Sequence, residues 1–531
     1  MESKKIYDKM QGLFSGLIGG TLSLTVSAVI VKFIGLVYKI PIASLLGDEG
    51  MGYFNSAYTV FSFFYLLSTA GVPKAVMILI SEAKARNNSA EEGRILRVAL
   101  MVFSLIGLLL TGLLIVFAFP LATLIGNSRS SFTMIAIAPS VIFVSLSGVL
   151  RGYLSANTRL VDVAVSQIVE GVGKLGLGLA LAMIGIRMKL SLELLSALTV
   201  IGVTLGSLFG LIYLFVCSKS KIHKENTGQK LIKNKTSLLV KRIFAISLPI
   251  TLSAAITSLT SLIDLGLIMR CLKGIGYSEA SASALYGNYT TLAVPMLNLA
   301  TALISPISVA FLPLFTRCSV SSDYEGHKRA ERSAVELTSL LAAPIMIGLM
   351  FYSKEILSML FHNSEISVGS GLLSLIAPAI FFSSLLLILN TVLEGVGKLR
   401  APLISMGIGG IVKIIASYIL ITKTDMGIYG APLGTVLSYA AGLVVSLIIY
   451  SLHFKRHFHI FEGSILPYLG AFVSVGASRL TFEAIRNRLP ETPSLIISIF
   501  IAALIYLGIS VFLRIVEPKK INELAKYTKI S

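Results

Sequence analysis

Apolar runs of roughly twenty residues recur along the whole chain, and short polar segments separate them. A helix of that length crosses about 30 Å of hydrocarbon. Membrane barrels instead show short segments in which apolar and polar residues alternate, and the sequence has no such segments. The pattern therefore predicts an all-α integral membrane protein with about 14 transmembrane helices.

The boundaries of the apolar runs give the predicted spans. The basic N-terminal segment leads into the first run without a small-residue cleavage site, which predicts an uncleaved first span. We predict spans at about 15–37, 52–80, 98–119, 131–150, 160–184, 193–217, 243–266, 283–312, 335–353, 369–393, 402–422, 430–451, 464–480 and 495–517.

Composition and charge placement support a membrane protein and define its orientation. Hydrophobic residues make up 55% of the chain and charged residues 13%, whereas a soluble domain carries about 25% charged residues. The net charge of +19 is concentrated in short loops. With the N-terminus inside, 30 Lys and Arg residues fall in inside segments and 11 in outside loops. The positive-inside rule then predicts that both termini are cytoplasmic, and this placement of the charges argues against a nucleic-acid partner.

A basic loop at 218–242 divides the spans into two groups of six. We therefore predict an N-lobe at 1–217, this loop as a cytoplasmic linker, a C-lobe at 243–451, and two further spans with a cytoplasmic tail at 452–531. A shift of 239 residues aligns parts of the two groups, which predicts two pseudo-symmetric lobes related by a parallel repeat. The aligned pairs are Leu150 with Leu389, Leu154 with Leu393, Leu160 with Leu399, Ser166 with Ser405, Gly171 with Gly410, Lys174 with Lys413, and Arg159 with Lys398.

Four lysines lie inside predicted spans, namely Lys32, Lys74, Lys174 and Lys413. A lysine at mid-membrane costs about 2.5–3.5 kcal/mol on insertion scales, so it usually faces water or a partner. Lys174 and Lys413 occupy matching positions in the two halves. Lys74 follows Pro73 near the cytoplasmic end of its span, where its side chain can snorkel to the interface.

These charges predict a cationic cavity that binds an anion such as phosphate or pyrophosphate. A shift of about 232 residues sets Asp264 of the seventh span opposite Lys32, and Arg270 opposite Lys39. The predicted substrate-binding residues are Lys32, Lys39, Lys174, Asp264, Arg270 and Lys413, and the candidate lining residues are Asn55, Tyr58, Glu170 and Asn288.

Each of several candidates also has a structural interpretation. Glu170 precedes Lys174 by four residues and could form an ordinary helical ion pair with it. Lys39 and Arg270 lie near the outer surface, where an ordinary interfacial role is an alternative of equal weight to ligand contact. The side chains of Asn55, Tyr58 and Asn288 could serve helix packing alone.

No enzymatic signature accompanies these charges. The sequence lacks a phosphate-cradling GxxxxGK[ST] loop, a G-x-S-x-G elbow and a zinc-protease motif. No Cys and His spacing fits a metal site either. We therefore expect no enzyme activity, no catalytic residues, no metal and no cofactor. Binding of a coupling ion such as sodium near Asp264 is left as an open alternative.

Three stretches of the chain resemble a known family. They read KFIGLVYKIPIASLLGDEGMGYFNSAY, LLSTAGVPKAVMILISEAKA and LEGVGKLRAP. They are similar to the polysaccharide-flippase branch of the multidrug/oligosaccharidyl-lipid/polysaccharide exporter superfamily, above all to the stage V sporulation protein B group and the lipid II flippases of Gram-positive bacteria. The resemblance implies two lobes with alternating access, a central cationic cavity for an undecaprenyl-pyrophosphate glycan, and a lipid-tail groove near the last two helices.

The resemblance also assigns individual positions. Lipid II flippases carry a basic residue in the first helix just before a Leu-Gly-Leu-Val-like turn, and Lys32 matches it. At the next position where those flippases carry a basic residue, this chain has Tyr38, with Lys39 beside it. At the position early in helix two where many of them carry an acidic residue, this chain has Gly52. With these departures the resemblance implies a lipid-linked glycan, such as lipid II or a similar molecule, without specifying which one.

The leading hypothesis is a monomeric flippase that moves an undecaprenyl-pyrophosphate-linked sugar precursor of peptidoglycan or another envelope polysaccharide across the bilayer. A cation-coupled multidrug exporter of the same superfamily is the alternative. It is disfavoured because cationic drugs call for buried carboxylates, and the spans hold Asp264 and Glu170 against four lysines. A non-transporting scaffold for envelope enzymes is a third hypothesis, which does not explain the cost of the buried lysines.

Overall fold

The computed structural model of the chain describes residues 2–86, 88–222, 236–361, 365–458 and 460–512. The side chain of Lys32, a predicted site residue, lies outside the described part, as do those of residues 2–30. The described residues contain no β-strand. The prediction of an all-α fold is therefore confirmed.

Nineteen α-helices make up the described part of the chain, joined by short turns, two 3₁₀ segments and one π-helical segment. The helices are α1 (Glu2–Thr69), α2 (Val72–Ala85), α3 (Ser89–Val116), α4 (Ala118–Leu124), α5 (Ser131–Ile137), α6 (Ser140–Ala156), α7 (Leu160–Arg187), α8 (Leu192–Ile222), α9 (Thr236–Gly274), α10 (Glu279–Asn288), α11 (Val294–Val320), α12 (Tyr324–Phe351), α13 (Ser353–Leu360), α14 (Ile366–Ile376), α15 (Ala379–Gly395), α16 (Ala401–Thr422), α17 (Gly430–Phe454), α18 (Ile460–Ile485) and α19 (Glu491–Phe512).

Eleven helical segments of the described residues are long and apolar enough to span a bilayer, or twelve if Ser128–Ile137 and Ser140–Ala156 form one bent span. The predicted count of fourteen is not confirmed. Predicted spans 15–37 and 52–80 fall on α1 and α2, of which Phe33–Ala85 qualifies as one segment. Predicted span 243–266 lies in α9, which is helical but is not among the eleven.

Helix α1 is divided by a single residue. Gly47 has φ 64° and ψ −179°, a conformation that glycine adopts far more readily than residues with a Cβ atom. The helical path is therefore interrupted at the place where the hydrophobic pattern predicts a turn between two spans.

The helices form two compact units. Unit 1 comprises Met1–Arg270 and Ser278–Gly287, and unit 2 comprises Cys271–Tyr277 and Asn288–Ser531. In unit 1, α7 packs along α8, and α6 packs against α2, α3 and α8 around an apolar core that includes Leu79 and Tyr153. In unit 2, α16 packs along α17, and α15 packs against α11, α12 and α17.

The last two helices, α18 and α19, belong to unit 2. They pack on each other, and α18 also packs against α12. A smaller apolar cluster that includes Tyr352 and Phe482 lies at this contact. The domain bounds drawn from the sequence stay a prediction.

The same pattern of helix neighbours occurs in both units. The pairs α2–α3, α2–α6, α3–α6, α5–α8, α6–α8 and α7–α8 have as counterparts α11–α12, α11–α15, α12–α15, α14–α17, α15–α17 and α16–α17. Local breaks repeat as well: α5 and α6 are separated at Ala138–Pro139, and α14 and α15 at Ala377–Pro378, 239 residues later. The repeat predicted from the sequence is thus present in the structure.

The chain also reverses in the same way after α6 and after α15. Thr158 adopts a left-handed conformation with φ 57°, and its counterpart Gly397 has φ 81°. In both units the next N–H donates to a carbonyl five residues earlier, from Arg159 to Leu154 and from Lys398 to Leu393. The corresponding helices therefore start from equivalent turns.

Close backbone contact joins α7 to α8. A Cβ atom at Gly206 would lie 2.7 Å from both the carbonyl oxygen of Glu170 and the amide nitrogen of Lys174. A Cβ atom at Gly210 would lie 3.2 Å from that of Glu170, and one at Gly202 would overlap the backbone of Gly178. This spacing of one glycine every four residues lets two membrane helices approach along their backbones. We call the contact the α7–α8 glycine seam.

We predict that Gly206→Ala destabilises the protein because a methyl group cannot fit into the glycine seam. Overpacking of this kind costs about 1–3 kcal/mol. Gly176→Ala is the matched control on α7, since a Cβ atom there meets nothing within 4 Å. Thermal unfolding in detergent should show a lower midpoint for Gly206→Ala and an equal or higher midpoint for Gly176→Ala. Equal shifts in the two variants would contradict the steric argument.

Candidate functional site

Three charged side chains meet in unit 1 at the middle of α7. The Lys174 Nζ atom lies 2.7 Å from Oε1 of Glu170, and Nη2 of Arg151 donates to Oε2 of the same carboxylate at 2.8 Å. We call these residues the unit 1 cationic cluster. Two cations share one carboxylate, so the unit 1 cationic cluster carries one net positive charge.

Three helices position this cluster. Arg151 comes from α6, Glu170 and Lys174 from α7, and α8 contributes Ser207, whose Oγ donates to Glu170 Oε1 at 3.4 Å. The Arg151 Nε atom donates to Ser166 Oγ at 3.3 Å. The α7–α8 glycine seam brings α8 close enough for the Ser207 contact, because the neighbouring Gly206 lies against the backbone of Glu170 and Lys174.

The helical ion pair that the sequence suggested for Glu170 and Lys174 is present, but it does not neutralise the site. Arg151 was missed because the fourth span was predicted to end at residue 150, whereas α6 continues to Ala156. A signal existed in the repeat frame, where Arg151 corresponds to Asn390, a polar residue inside an apolar run.

Unit 2 holds an equivalent cluster of polar residues. Asn390 Oδ1 accepts from Ser446 Oγ at 2.8 Å and from Ser405 Oγ at 3.5 Å. Lys413 lies half-buried on α16. The residue pairs at a separation of 239 are Arg151 with Asn390, Ser166 with Ser405, Glu170 with Gly409, Lys174 with Lys413, and Ser207 with Ser446.

The two clusters differ by one cation and one anion. Unit 2 has Asn390 in place of Arg151 and Gly409 in place of Glu170. Both charges are therefore absent together, so the formal charge summed over the three aligned positions is +1 in each unit. The arrangement provides a positive charge at mid-helix in each unit, which is suited to binding an anion.

The other predicted site residues are more dispersed. Lys39 is half-buried on α1, Asp264 is buried in α9, and Arg270 is exposed near the end of α9. None of their predicted roles is tested by these positions. Lys174 and Glu170 are the predicted residues that form a direct ion pair with each other.

The predicted lining residues also differ in environment. Asn55 is buried, with its carbonyl accepting from Thr59 Oγ1 at 2.8 Å, and Asn288 is buried in unit 2. Tyr58 is exposed on unit 1. Among the described residues, no group of three His, Cys, Asp or Glu side chains is placed to hold a metal ion.

We predict that Glu170→Gly destabilises the protein strongly and that adding Arg151→Asn restores most of the loss. Removing the carboxylate leaves two cations without their shared partner, and breaking a buried pair costs about 3–5 kcal/mol. The double variant reproduces the residues found at the aligned positions of unit 2, namely Asn390, Gly409 and Lys413. Thermal unfolding midpoints in detergent measure both effects.

Glu483→Gly is the control for this pair of variants. It introduces the same glycine into α18, but Glu483 is 57% exposed and its contact to Arg479 is 3.6 Å. A surface pair contributes about 0–1 kcal/mol, so the control should shift the midpoint little. A double variant no more stable than Glu170→Gly alone would show that charge balance does not govern the site.

The chain is similar in sequence to several known membrane proteins. A family profile described as polysaccharide biosynthesis protein matches residues 17–319, and one described as MatE matches residues 249–419. The chain is 27% identical to the uncharacterized membrane protein YabM of Bacillus subtilis, covering 87% of this chain and 85% of that protein. It is 26% identical to stage V sporulation protein B of the same organism, with 81% and 82% covered. Lipid II flippase MurJ of B. subtilis is 21% identical, with 83% of each chain covered.

Solved structures show the same fold. The inward closed conformation of a lipid II flippase MurJ matches with a TM-score of 0.67 and 17% identity, covering 92% of this chain and 98% of that one. An inward-facing multidrug resistance transporter of the MATE family matches with a TM-score of 0.62 and 13% identity, covering 82% and 98%. The chain therefore shares the fold of these multi-pass membrane proteins. Because the polysaccharide biosynthesis profile covers more than half of the sequence, the chain belongs to that family, the flippase branch of the multidrug/oligosaccharidyl-lipid/polysaccharide exporter superfamily.

Proposed function

We propose that this protein is a flippase for an undecaprenyl-pyrophosphate-linked sugar precursor of peptidoglycan or another envelope polysaccharide. It moves the precursor from the inner to the outer leaflet of the bacterial cytoplasmic membrane by alternating access, with both termini cytoplasmic. It acts as a monomeric transporter rather than as an enzyme. The observation that carries the proposal is the pair of mid-helix positions Lys174 and Lys413, which match in the repeat and have a formal charge of +1 over the aligned positions of each unit.

The charges support an anionic cargo. A phosphate group gains most from a cation in a poorly solvated site, where the electrostatic interaction is weakly screened. Relatives support the lipid-linked part of the proposal, since one is called a lipid II flippase and the family is described by polysaccharide biosynthesis. The proposed chemistry needs no covalent step, cofactor or metal.

Glu170 has a defined part in the proposed mechanism. Without cargo, its carboxylate is shared by Arg151 and Lys174. An arriving phosphate group displaces the carboxylate from the Lys174 ammonium group, while Arg151 retains it. Lys174 then binds the cargo without leaving a buried carboxylate unpaired, which keeps the cost of exchange low.

A multidrug exporter is the second candidate, supported by the MatE match and the fold shared with a MATE transporter. Cationic drugs would need an available carboxylate. Glu170 is engaged by two cations in the structure, so this part of unit 1 favours an anion. The flippase proposal is therefore the stronger of the two.

We predict that Lys174→Gln and Lys413→Gln each slow lipid flipping at least about tenfold. A hydrogen bond to a charged group contributes about 1.5–3 kcal/mol, equivalent to a factor of ten or more. The assay reconstitutes the full chain in vesicles with undecaprenyl-pyrophosphate-linked disaccharide. It follows the headgroup with an impermeant reagent that reports its transfer between leaflets.

Lys74→Gln is the matched control, because Lys74 is exposed and lies next to Pro73 in the first turn of α2. This variant should flip the lipid at a rate within about twofold of the wild-type rate. Unchanged flipping in both site variants would overturn the proposal. Transport of ethidium in place of the lipid would favour the exporter, and no transport of either compound would favour a scaffold.

A further inference from the structure

Four aromatic side chains follow one face of α1 in unit 1. They occupy positions with helical spacing, and their rings contact each other in series. Ring centroids are separated by 6.2 Å from Phe54 to Tyr58, 5.7 Å from Tyr58 to Phe61 and 5.9 Å from Phe61 to Tyr65. We call this series the α1 aromatic face. Because each ring is held by its neighbours, the face is a rigid surface.

Tyr58 is the accessible member of this face. Its side chain is 39% exposed, whereas Phe54 and Phe61 are buried. The Phe54 and Tyr58 rings are nearly parallel, with an interplanar angle of 8°. Among the described residues, no side chain hydrogen-bonds to the Tyr58 hydroxyl group. The ring thus offers both an apolar surface and a free polar edge to a ligand.

The depth of Tyr58 distinguishes it from an ordinary interfacial tyrosine. Helix α1 continues from residue 48 to Thr69 after the break at Gly47. At 1.5 Å per residue, Tyr58 lies about 15 Å along the helix from the start of this segment, which is about half the thickness of the hydrocarbon. Tyrosines that anchor a helix are enriched at the membrane surfaces instead. An exposed phenol at mid-depth favours a water-filled path or a polar ligand over lipid.

The α1 aromatic face adjoins the unit 1 cationic cluster. Helix α1 packs on α7 at both sides of Lys174, with Ile34 near Gly171 and Tyr38 near Gly178. The ring centroids of Tyr38 and Phe54 are in turn 6.2 Å apart. A ligand that reaches Lys174 is therefore beside a fixed aromatic surface.

We infer that Tyr58 is a specificity-determining residue on which the first sugar of the lipid-linked glycan stacks. The inference rests on the proposed function. A pyranose ring presents C–H groups on its face, and these pack on the electron-rich face of an aromatic ring. The first sugar is joined directly to the pyrophosphate, so phosphate at Lys174 places it beside Tyr58. The site then selects glycosylated pyrophosphate lipids over the sugar-free lipid.

Binding to two purified lipids tests the inference with the full chain in nanodiscs. The probes are undecaprenyl-pyrophosphate-linked disaccharide and undecaprenyl pyrophosphate without sugar. We expect Tyr58→Leu to weaken binding of the disaccharide lipid about tenfold, because one stacking contact is lost. The affinity for the sugar-free lipid should stay within about twofold of the wild-type value. Tyr58→Phe keeps the ring and should bind both lipids within about threefold of the wild type.

Two further variants separate this inference from the proposed function. Phe63→Leu changes an aromatic residue about 140° around α1 from Tyr58, and it should change neither affinity. Lys174→Gln should weaken both lipids equally, since both carry the phosphates. If the wild type binds neither lipid, both the inference and the proposed function fail. Suppose that the wild type binds both lipids. If Tyr58→Leu then changes neither affinity, or weakens both affinities equally, the sugar-stacking inference alone is overturned.

Discussion

The high free-energy cost of a charged group in hydrocarbon governs how this protein is built. The chain spans the membrane through apolar helices, so each charge within a span has to be compensated by a partner, by water or by a ligand. In unit 1 the compensation is a shared carboxylate held between Arg151 and Lys174. The glycine seam, the serine contacts and the placement of α6 all serve to bring these groups within hydrogen-bonding distance.

The repeat shows that net charge, rather than any particular ion pair, is common to the two units. Gly409 and Asn390 stand where unit 1 has Glu170 and Arg151. Changing one member of this pair alone would leave a buried charge without its partner, whereas changing both keeps the balance. The two residues are thus expected to be gained or lost together, which a comparison of related sequences position by position would detect.

Much of the fold and part of the candidate site follow from the sequence. Apolar run lengths predict the all-α architecture, and the 239-residue shift predicts the equivalence of Lys174 and Lys413. The α7–α8 glycine seam and Arg151 were not predicted, because both depend on contacts between helices. Hydropathy alone cannot distinguish an arginine that ends a span from one whose partner, Glu170, lies 19 residues later on the next helix. The span count also differs, since α1 and α2 together qualify as one segment despite the break at Gly47.

The α7–α8 glycine seam has a consequence for motion. Two helices whose backbones touch at Gly202, Gly206 and Gly210 have no side-chain layer between them that could repack. Sliding one helix past the other would drive backbone atoms into each other, so α7 and α8 move as one rigid body. Any rearrangement of unit 1 is then concentrated at its interrupted helices, at Gly47 and at Ala138–Pro139, while the α7 backbone at Lys174 keeps its place against Gly206 of α8.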